Sequence, residues 1–273
     1  MSFLERESGR VSVELMHPSW LIYSEGFRCD FFRLASKRVF DVVVSLGLLA
    51  ATVPVWLVTA LAIYAEDRGP VLYRQVRTGQ NGRPFTMLKF RSMRIDAEAD
   101  GQPVWASAND RRTTWVGAAI RRLRIDEIPQ LVNVLIGHMS FVGPRPERPA
   151  FVESLARAIP FYPERHFVKP GVTGWAQVRY GYANNLEEET EKMRYDLYYI
   201  KNRSLWLDCR ILVWTVGIML FGQGASQVRH PAPFGRGLSV PVPAPARIPV
   251  AIVPVLADSR AVRSSDSHAR DPR

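Results

Sequence analysis

Cysteine is scarce in this chain: Cys29 and Cys209 are the only two, far apart and with no CxxC neighbour. That argues against a disulfide framework or a thiolate zinc site and fits a reducing compartment. A cleavable signal is also missing, because Met1 to Arg10 is polar and no apolar region with a cleavage site follows, so secretion is not expected. No helix-turn-helix, zinc-finger or RNA-recognition pattern occurs, and no internal repeat. The net charge of +10, from 36 basic and 26 acidic residues, therefore points away from nucleic acid. It points toward an anionic membrane surface or phosphorylated substrates. With 47% hydrophobic residues the chain can build one good-sized core or two small ones.

One further absence is local. Val42 to Ala65 is a 24-residue stretch without a single charge. At about 1.5 Å per residue it is long enough for a bilayer core of roughly 30 Å. Pro54 lies near its middle, where it removes a backbone donor and opposes the carbonyl of Ala50, so a kink is expected. Arg33, Lys37 and Arg38 precede the stretch and Arg68, Arg74 and Arg77 follow it. The positive-inside tendency places both flanks on the cytoplasmic side. A helix that enters the membrane, bends at Pro54 and returns satisfies both features; a straight single-pass helix is the competing reading. Thr52 and Ser45 are candidates to supply hydroxyls to carbonyls loosened by the bend.

What remains divides around that segment. Residues 1–35 mix aromatics (Trp20, Tyr23, Phe27, Phe31, Phe32) with charges, as an amphipathic helix or a loosely packed extension would. After the apolar segment of 36–68, Val71 to Met93 reads as two short strands around Gly79-Gln80-Asn81-Gly82, a hairpin signal. Ile95 to Gln102 is polar and solvent-facing. A helix is expected over Trp115 to Leu123, and a second from near Asp126, with Ile128, Leu131, Val132 and Leu135 on its core face. Glu187 to Asn202 reads as helix. Leu205 to Phe221 is apolar but carries Asp208 and Arg210, so it is an interfacial or a core helix rather than a second span. Residues 227–273 hold eight of the chain's 20 prolines and read as a disordered tail beyond a catalytic domain of 69–226.

Chemistry concentrates in three stretches. The first is Arg121-Arg122-Leu123-Arg124-Ile125-Asp126-Glu127-Ile128-Pro129. By itself it reads as a helix cap with surface ion pairs, since Asp favours the N-cap and Pro the first turn. The same residues also suit phosphate chemistry. A helix start attracts phosphate, arginines grip it bidentately, and a carboxylate among them can attack phosphorus or hold a divalent cation. The second is Gly143-Pro144-Arg145-Pro146-Glu147, where prolines stiffen the backbone around Arg145 and cut the entropy lost on binding. The third is Lys169 to Gln177, whose glycines permit close backbone approach and whose Thr173 and Gln177 offer neutral hydrogen-bonding groups. Lys89 and Arg91 add cations on the second strand.

KRVFDVVVS, GPVLYRQVRTG, FTMLKFRSMR, LRIDEIPQLVNVLIG, MSFVGPRPERP and KPGVTGWAQV follow one another in this order between about Ser36 and Ser226. In this the chain resembles the bacterial sugar transferases, the monotopic phosphoglycosyltransferases that begin polysaccharide and glycan assembly. RYDLYYIKNRSLWLDCRILVWTVGIMLFGQGA is similar to their exopolysaccharide branch. The resemblance implies a mainly α fold with a small β-hairpin, monotopic in the inner (cytoplasmic) membrane through a re-entrant helix broken near Pro54 and interfacial amphipathic helices, with the catalytic domain on the cytoplasmic face. It implies transfer of a hexose-1-phosphate from a UDP-sugar, glucose or galactose being favoured, to undecaprenyl phosphate with release of UMP. Asp126 is then the covalent nucleophile and Glu127 its support. Mg2+ is held by both, and Arg121 and Arg145 match family arginines that contact phosphate; the residues themselves add Lys89 and Arg91 as further phosphate-binding candidates and Thr173 and Gln177 as candidates on a nucleotide-sugar loop. Polysaccharide-assembly proteins are further expected partners. His138 stands where the family usually has an acidic residue, and Val53 where serine is frequent before the kink proline. A non-catalytic membrane-anchored protein that binds nucleotide sugar, or serves assembly, on the same scaffold is the alternative.

Overall fold

The computed structural model describes residues 3–11, 31–97, 110–181, 183 and 185–221. Expectations that fall on Trp20, Tyr23, Phe27 and Cys29, on residues 98–109 and on the tail from 227 lie outside these residues.

The architecture is mainly helical with two small sheets. A short helix α1 (Phe3–Ser8) leads to Val11, which is buried in the main core. Glu5 pairs with Lys201 at 2.9 Å and Arg10 with Glu191 at 2.6 Å, so residues 3–11 are docked rather than loose. Helix α2 (Phe31–Asp67) contains the charge-free stretch and is continuous across Pro54. Its Thr52 hydroxyl donates to the Leu48 carbonyl at 2.7 Å, a back-bond to the residue four earlier rather than to Ala50, whose carbonyl loses its donor at Pro54. Ser45 behaves otherwise, its hydroxyl being buried without a hydrogen-bond partner among the described residues.

Burial on α2 is inverted relative to a water-soluble helix. Asp41, Ser45, Thr59 and Ile63 are inside, while Val39, Val43, Leu46, Val53, Leu57, Val58 and Leu61 are exposed. The buried positions repeat at four residues and then at fourteen, which puts them on one face at 3.6 residues per turn. That face holds the rest of the molecule at both ends. Near the start, Asp41 accepts from the Ser140 hydroxyl and the Phe141 N–H, each at 3.1 Å, and Lys37 pairs with buried Asp208 at 2.7 Å. Near the end, Trp56 packs edge-on against Phe90, and Asp67 pairs with Arg91.

Strands β1 (Leu72–Thr78) and β2 (Pro84–Phe90) form the antiparallel hairpin in register from Leu72↔Phe90 to Thr78↔Pro84. Asn81 and Gly82 turn the chain at φ +55° and +73°, as the Asn-Gly signal demands. Helix α3 (Trp115–Arg122) begins on Thr114, whose hydroxyl accepts from the Gly117 N–H at 3.0 Å. The Glu66 carboxylate accepts from the Trp115 N–H at 2.7 Å, so the end of α2 caps α3. Helix α4 (Gln130–Ile136) starts after Pro129. Of the expected stripe Leu131 is buried and Ile128 packs against the core, while Val132 and Leu135 are half-buried and Gln130, Asn133 and Val134 are inside in their place. Asn133 is inside because its side chain takes the Leu88 N–H at 2.9 Å and gives to the Thr86 carbonyl at 2.7 Å, docking α4 on β2.

Beyond α4, β3 (Ser140–Val142) pairs in parallel with β4 (Gly171–Thr173), a sheet the sequence did not announce. Helix α5 (Pro149–Ala158) and a 3-10 turn (Tyr162–Phe167) lie between them, and α6 (Trp175–Arg179) follows β4. Helix α7 (Leu186–Asn202) opens on Asn185, which accepts from the Glu188 N–H at 2.8 Å, with three glutamates in its first turn. Helix α8 (Leu205–Phe221) buries Leu207, Asp208 and Ile211 and exposes Trp206, Val213, Val216, Met219, Leu220 and Phe221. It is therefore a half-buried helix with an apolar outer face. Trp175 stacks between Tyr198 and Trp214, tying α6, α7 and α8 together.

Candidate active site

Asp126 and Glu127 do not cap a helix. They sit on a 3-10 turn (Ile125–Glu127) between α3 and α4, and Pro129 occupies the cap of α4. The turn is pinned by its neighbours: Ile125 and Ile128 both pack against the small core of Ile63, Phe90 and Ile120. Apolar anchors on either side thus leave the two carboxylates no freedom to slide. Arg124, just before the turn, stops α3 by taking the left-handed conformation at φ +57°.

Glu127 is the hub of a cationic cluster. Its Oε1 receives Arg145 Nη2 at 3.1 Å, Lys89 Nζ at 3.5 Å and Arg124 Nη1 at 3.7 Å. Burial alone would raise its carboxyl, but Arg145, Lys89 and Arg124 hold it down at about 2. Lys89, for its part, is lowered to about 8, chiefly by burial and against the pull of Glu127. Asp126 is only 8% exposed and makes no hydrogen bond or ion pair among the described residues. Burial and the Glu127 charge push its carboxyl up, while Lys89, Arg121 and Arg124 oppose them. One carboxylate is therefore clamped and ionised, and its neighbour is unclamped and in a less polar setting.

The Gly143–Glu147 loop is rigid for a reason its prolines only hinted at. Its backbone is tied at successive residues: Gly143 N–H to Thr173 O at 2.9 Å, Pro144 O from Gly171 N–H at 2.9 Å, and Arg145 O from Arg165 Nη2 at 3.1 Å. Pro146 O accepts from Arg77 Nη1 at 3.0 Å, and Glu147 O from the Thr78 N–H at 2.9 Å. Arg165 is itself buried against Tyr162 and Asp196, and Glu147 against Lys192. The support for Arg145 thus comes from the hairpin, from β4 and from α7 together.

The structure brings Asp126, Glu127, Lys89 and Arg145 together. Arg121 is close enough to influence Asp126, and is held by Ser92 Oγ at 2.8 Å and Thr113 Oγ1 at 3.2 Å. Arg91 is drawn instead to Asp67 at the end of α2, so its present work is to fasten that helix. Thr173 and Gln177 have no bond to the cluster. The Thr173 hydroxyl meets that of Thr215 on α8 at 2.7 Å, and Gln177 gives to Val172 O at 3.1 Å. His138 is exposed, its ring 5.9 Å from that of Phe85, with no hydrogen bond to either carboxylate. The contact sequence reasoning missed is Arg124; the arginine run around it was visible, but its left-handed turn toward Glu127 was not.

For a divalent cation, no group of three or more His, Cys, Asp or Glu exists among the described residues. Two adjacent carboxylates suffice for magnesium, which takes one or two and fills its remaining positions with phosphate oxygens and water. The donor set therefore fits that ion bound together with a phosphorylated substrate.

Residues 32–222 match the family described as bacterial sugar transferase. A protein of Aeromonas hydrophila named UDP-N-acetylgalactosamine-undecaprenyl-phosphate N-acetylgalactosaminephosphotransferase is 47% identical over 221 residues, covering 81% of this chain and 51% of its own. One of Escherichia coli (strain K12) named UDP-glucose:undecaprenyl-phosphate glucose-1-phosphate transferase is 43% identical over 182 residues, 66% of this chain and 39% of its own. One of Caulobacter vibrioides with that same name is 44% identical over 187 residues, 67% of this chain and 69% of its own. The chain spans about half or less of the first two relatives. With the family model covering 32–222 and a relative 47% identical over 81% of this chain, the chain belongs to the bacterial sugar transferase family.

Proposed function

We propose that this chain transfers a hexose-1-phosphate from a UDP-sugar to undecaprenyl phosphate, releasing UMP and beginning a glycan. The observation that carries it is the asymmetry of the pair: Glu127 bound by three cations, Asp126 beside it buried and without a side-chain bond among the described residues. An ionised Asp126 oxygen attacks the sugar-bearing phosphorus, the diphosphate P–O bond breaks, and UMP leaves with the electron pair. The resulting aspartyl phosphosugar is attacked at the same phosphorus by an oxygen of the polyprenyl phosphate, and the bond to Asp126 breaks. Arg145, Lys89 and Arg121 orient the phosphates and offset the charge that accumulates on them. Magnesium, held by Asp126 and Glu127, would neutralise the diphosphate as the carboxylate approaches it.

The named relatives divide between glucose and N-acetylgalactosamine donors, so the donor is assigned to the UDP-hexose class. The test incubates detergent-solubilised full chain with a panel of UDP-sugars, undecaprenyl phosphate and magnesium. UMP release by the native chain, its loss in Asp126→Asn and its loss on chelation are expected. Nucleotide-sugar binding without turnover would make the chain a non-catalytic binding protein instead.

The same reading places the chain in the inner membrane, with α2 entering and leaving on the cytoplasmic side. Support comes from the apolar outer faces of α2 and α8, from basic residues at both flanks, and from the grip of both ends of α2 on one domain. Cysteines placed at Ser36 and Arg68 should both be labelled from the cytoplasmic side by an impermeant reagent. Labelling of one only from the opposite side refutes the re-entrant arrangement.

A further inference from the structure

Arg124 is the outermost of the cations around Glu127: its side chain is 41% exposed, against 24% for Arg145 and 16% for Lys89. Its contact with Glu127, at 3.7 Å, is also the longest of the three. It follows Leu123, the C-cap of α3, whose N–H returns to Ala119 O while that of Arg124 returns to Arg121 O, each at 3.2 Å. A residue in that place takes the left-handed conformation, which favours glycine because any Cβ is strained there. Arg68 and Phe161 share the conformation, so the backbone alone marks nothing. What distinguishes Arg124 is the direction the conformation gives its side chain: toward Glu127, with an electrostatic effect on Asp126 as well.

We infer that Arg124 is a further phosphate-binding residue of this site, set at its rim to take the diphosphate of the nucleotide-sugar donor. This rests on the sugar-phosphate-transfer reading for the identity of the donor, though not for the anion chemistry. Glu127 already has two closer cations, so turning the Arg124 guanidinium outward to a diphosphate leaves no buried carboxylate unpaired. A planar guanidinium can grip two phosphate oxygens at once, which an ammonium at the same place cannot. Exposure at the rim also makes Arg124 the cation an incoming anion meets first.

The test separates fold from function by using the strain. Gly and Asn accept the left-handed backbone without Arg's penalty, so R124G and R124N should keep the melting temperature or raise it. Inorganic diphosphate is titrated calorimetrically into the full chain in detergent and magnesium buffer, with uridine as the phosphate-free control. Diphosphate should bind R124G and R124N about tenfold more weakly or worse, the scale of one charge-assisted contact. R124K should recover part of the loss, and uridine should be indifferent to all three. In the UMP-release assay the KM for UDP-hexose should rise about tenfold, with kcat changing less. Diphosphate binding within twofold of the native chain in R124G and R124N overturns the assignment. So does a binding loss that appears only with a lowered melting temperature, since Arg124 would then serve the fold. If the native chain binds diphosphate through Arg124 but releases no UMP from any UDP-sugar, the transfer reading falls and the anion site stands.

Discussion

Replacing Arg165 by methionine removes the buried support under Arg145. Arg165 is 2% exposed, and its guanidinium gives to Tyr162 Oη at 2.6 Å, to Asp196 Oδ2 at 2.7 Å and to Arg145 O at 3.1 Å. Without it, the Asp196 carboxylate is left in a setting where burial already raises its carboxyl. Breaking a buried pair from one side costs about 3–5 kcal/mol, which in a domain this size lowers the melting temperature by about 10 °C. Fluorimetric melting in detergent reads that term. A compensated variant, Arg165→Met with Asp196→Leu and Tyr162→Phe, exchanges the network for apolar packing. It should return to within a few degrees of the native melting temperature, because apolar replacement of a buried pair is close to neutral.

Activity should not return with stability. The compensated variant still lacks the donor to Arg145 O, a charge-assisted bond of about 1.5 kcal/mol, so kcat/KM for UMP release should stay roughly tenfold low. Recovery of both quantities would refute the claim that Arg165 places Arg145. A melting temperature lowered by less than about 2 °C in Arg165→Met alone would refute the energetic argument for the network.

Glu147 carries the pH dependence. Burial would raise its carboxyl, but Lys192, Arg165 and Arg77 hold it below its ordinary 4.5, at about 2. It binds its proton less tightly folded than unfolded, so its stabilisation is complete above pH 4.5 and vanishes as pH falls toward 2. The melting-temperature gap between native chain and Glu147→Gln should narrow across that window; a constant gap contradicts the reading. Gly143→Ala should cost about 3 kcal/mol, since the new Cβ would lie 2.4 Å from the Lys169 carbonyl and force β3 from β4. Gly47→Ala, whose Cβ meets nothing within 4 Å, is its neutral control in the same melt. Asp126→Asn should abolish UMP release yet raise the melting temperature at pH 7 in chelator. Its carboxyl holds a proton more tightly folded than unfolded, so ionising it costs stability as pH rises past 3.8. A lower melting temperature would show Asp126 to be a structural residue.

Sequence alone determined the parts whose cause is local. The charge-free run made a helix, Asn81-Gly82 closed a hairpin and Glu187 to Asn202 made most of α7, because each signal depends on neighbours a few residues away. Tertiary structure decided what the charges do. Arg91 and Lys89 are two residues apart on one strand, yet Asp67 takes the first and Glu127 the second. Thr173 and Gln177, expected on a nucleotide-sugar loop, meet Thr215 of α8 and Val172 of β4 in this structure. Asp126 and Glu127 looked like a helix cap, and became a 3-10 turn because Arg124 ends α3 early and Ile125 and Ile128 anchor in the core. A charge finds its partner through space, across separations of 18, 38 or 196 residues, and no periodicity in the chain records that distance.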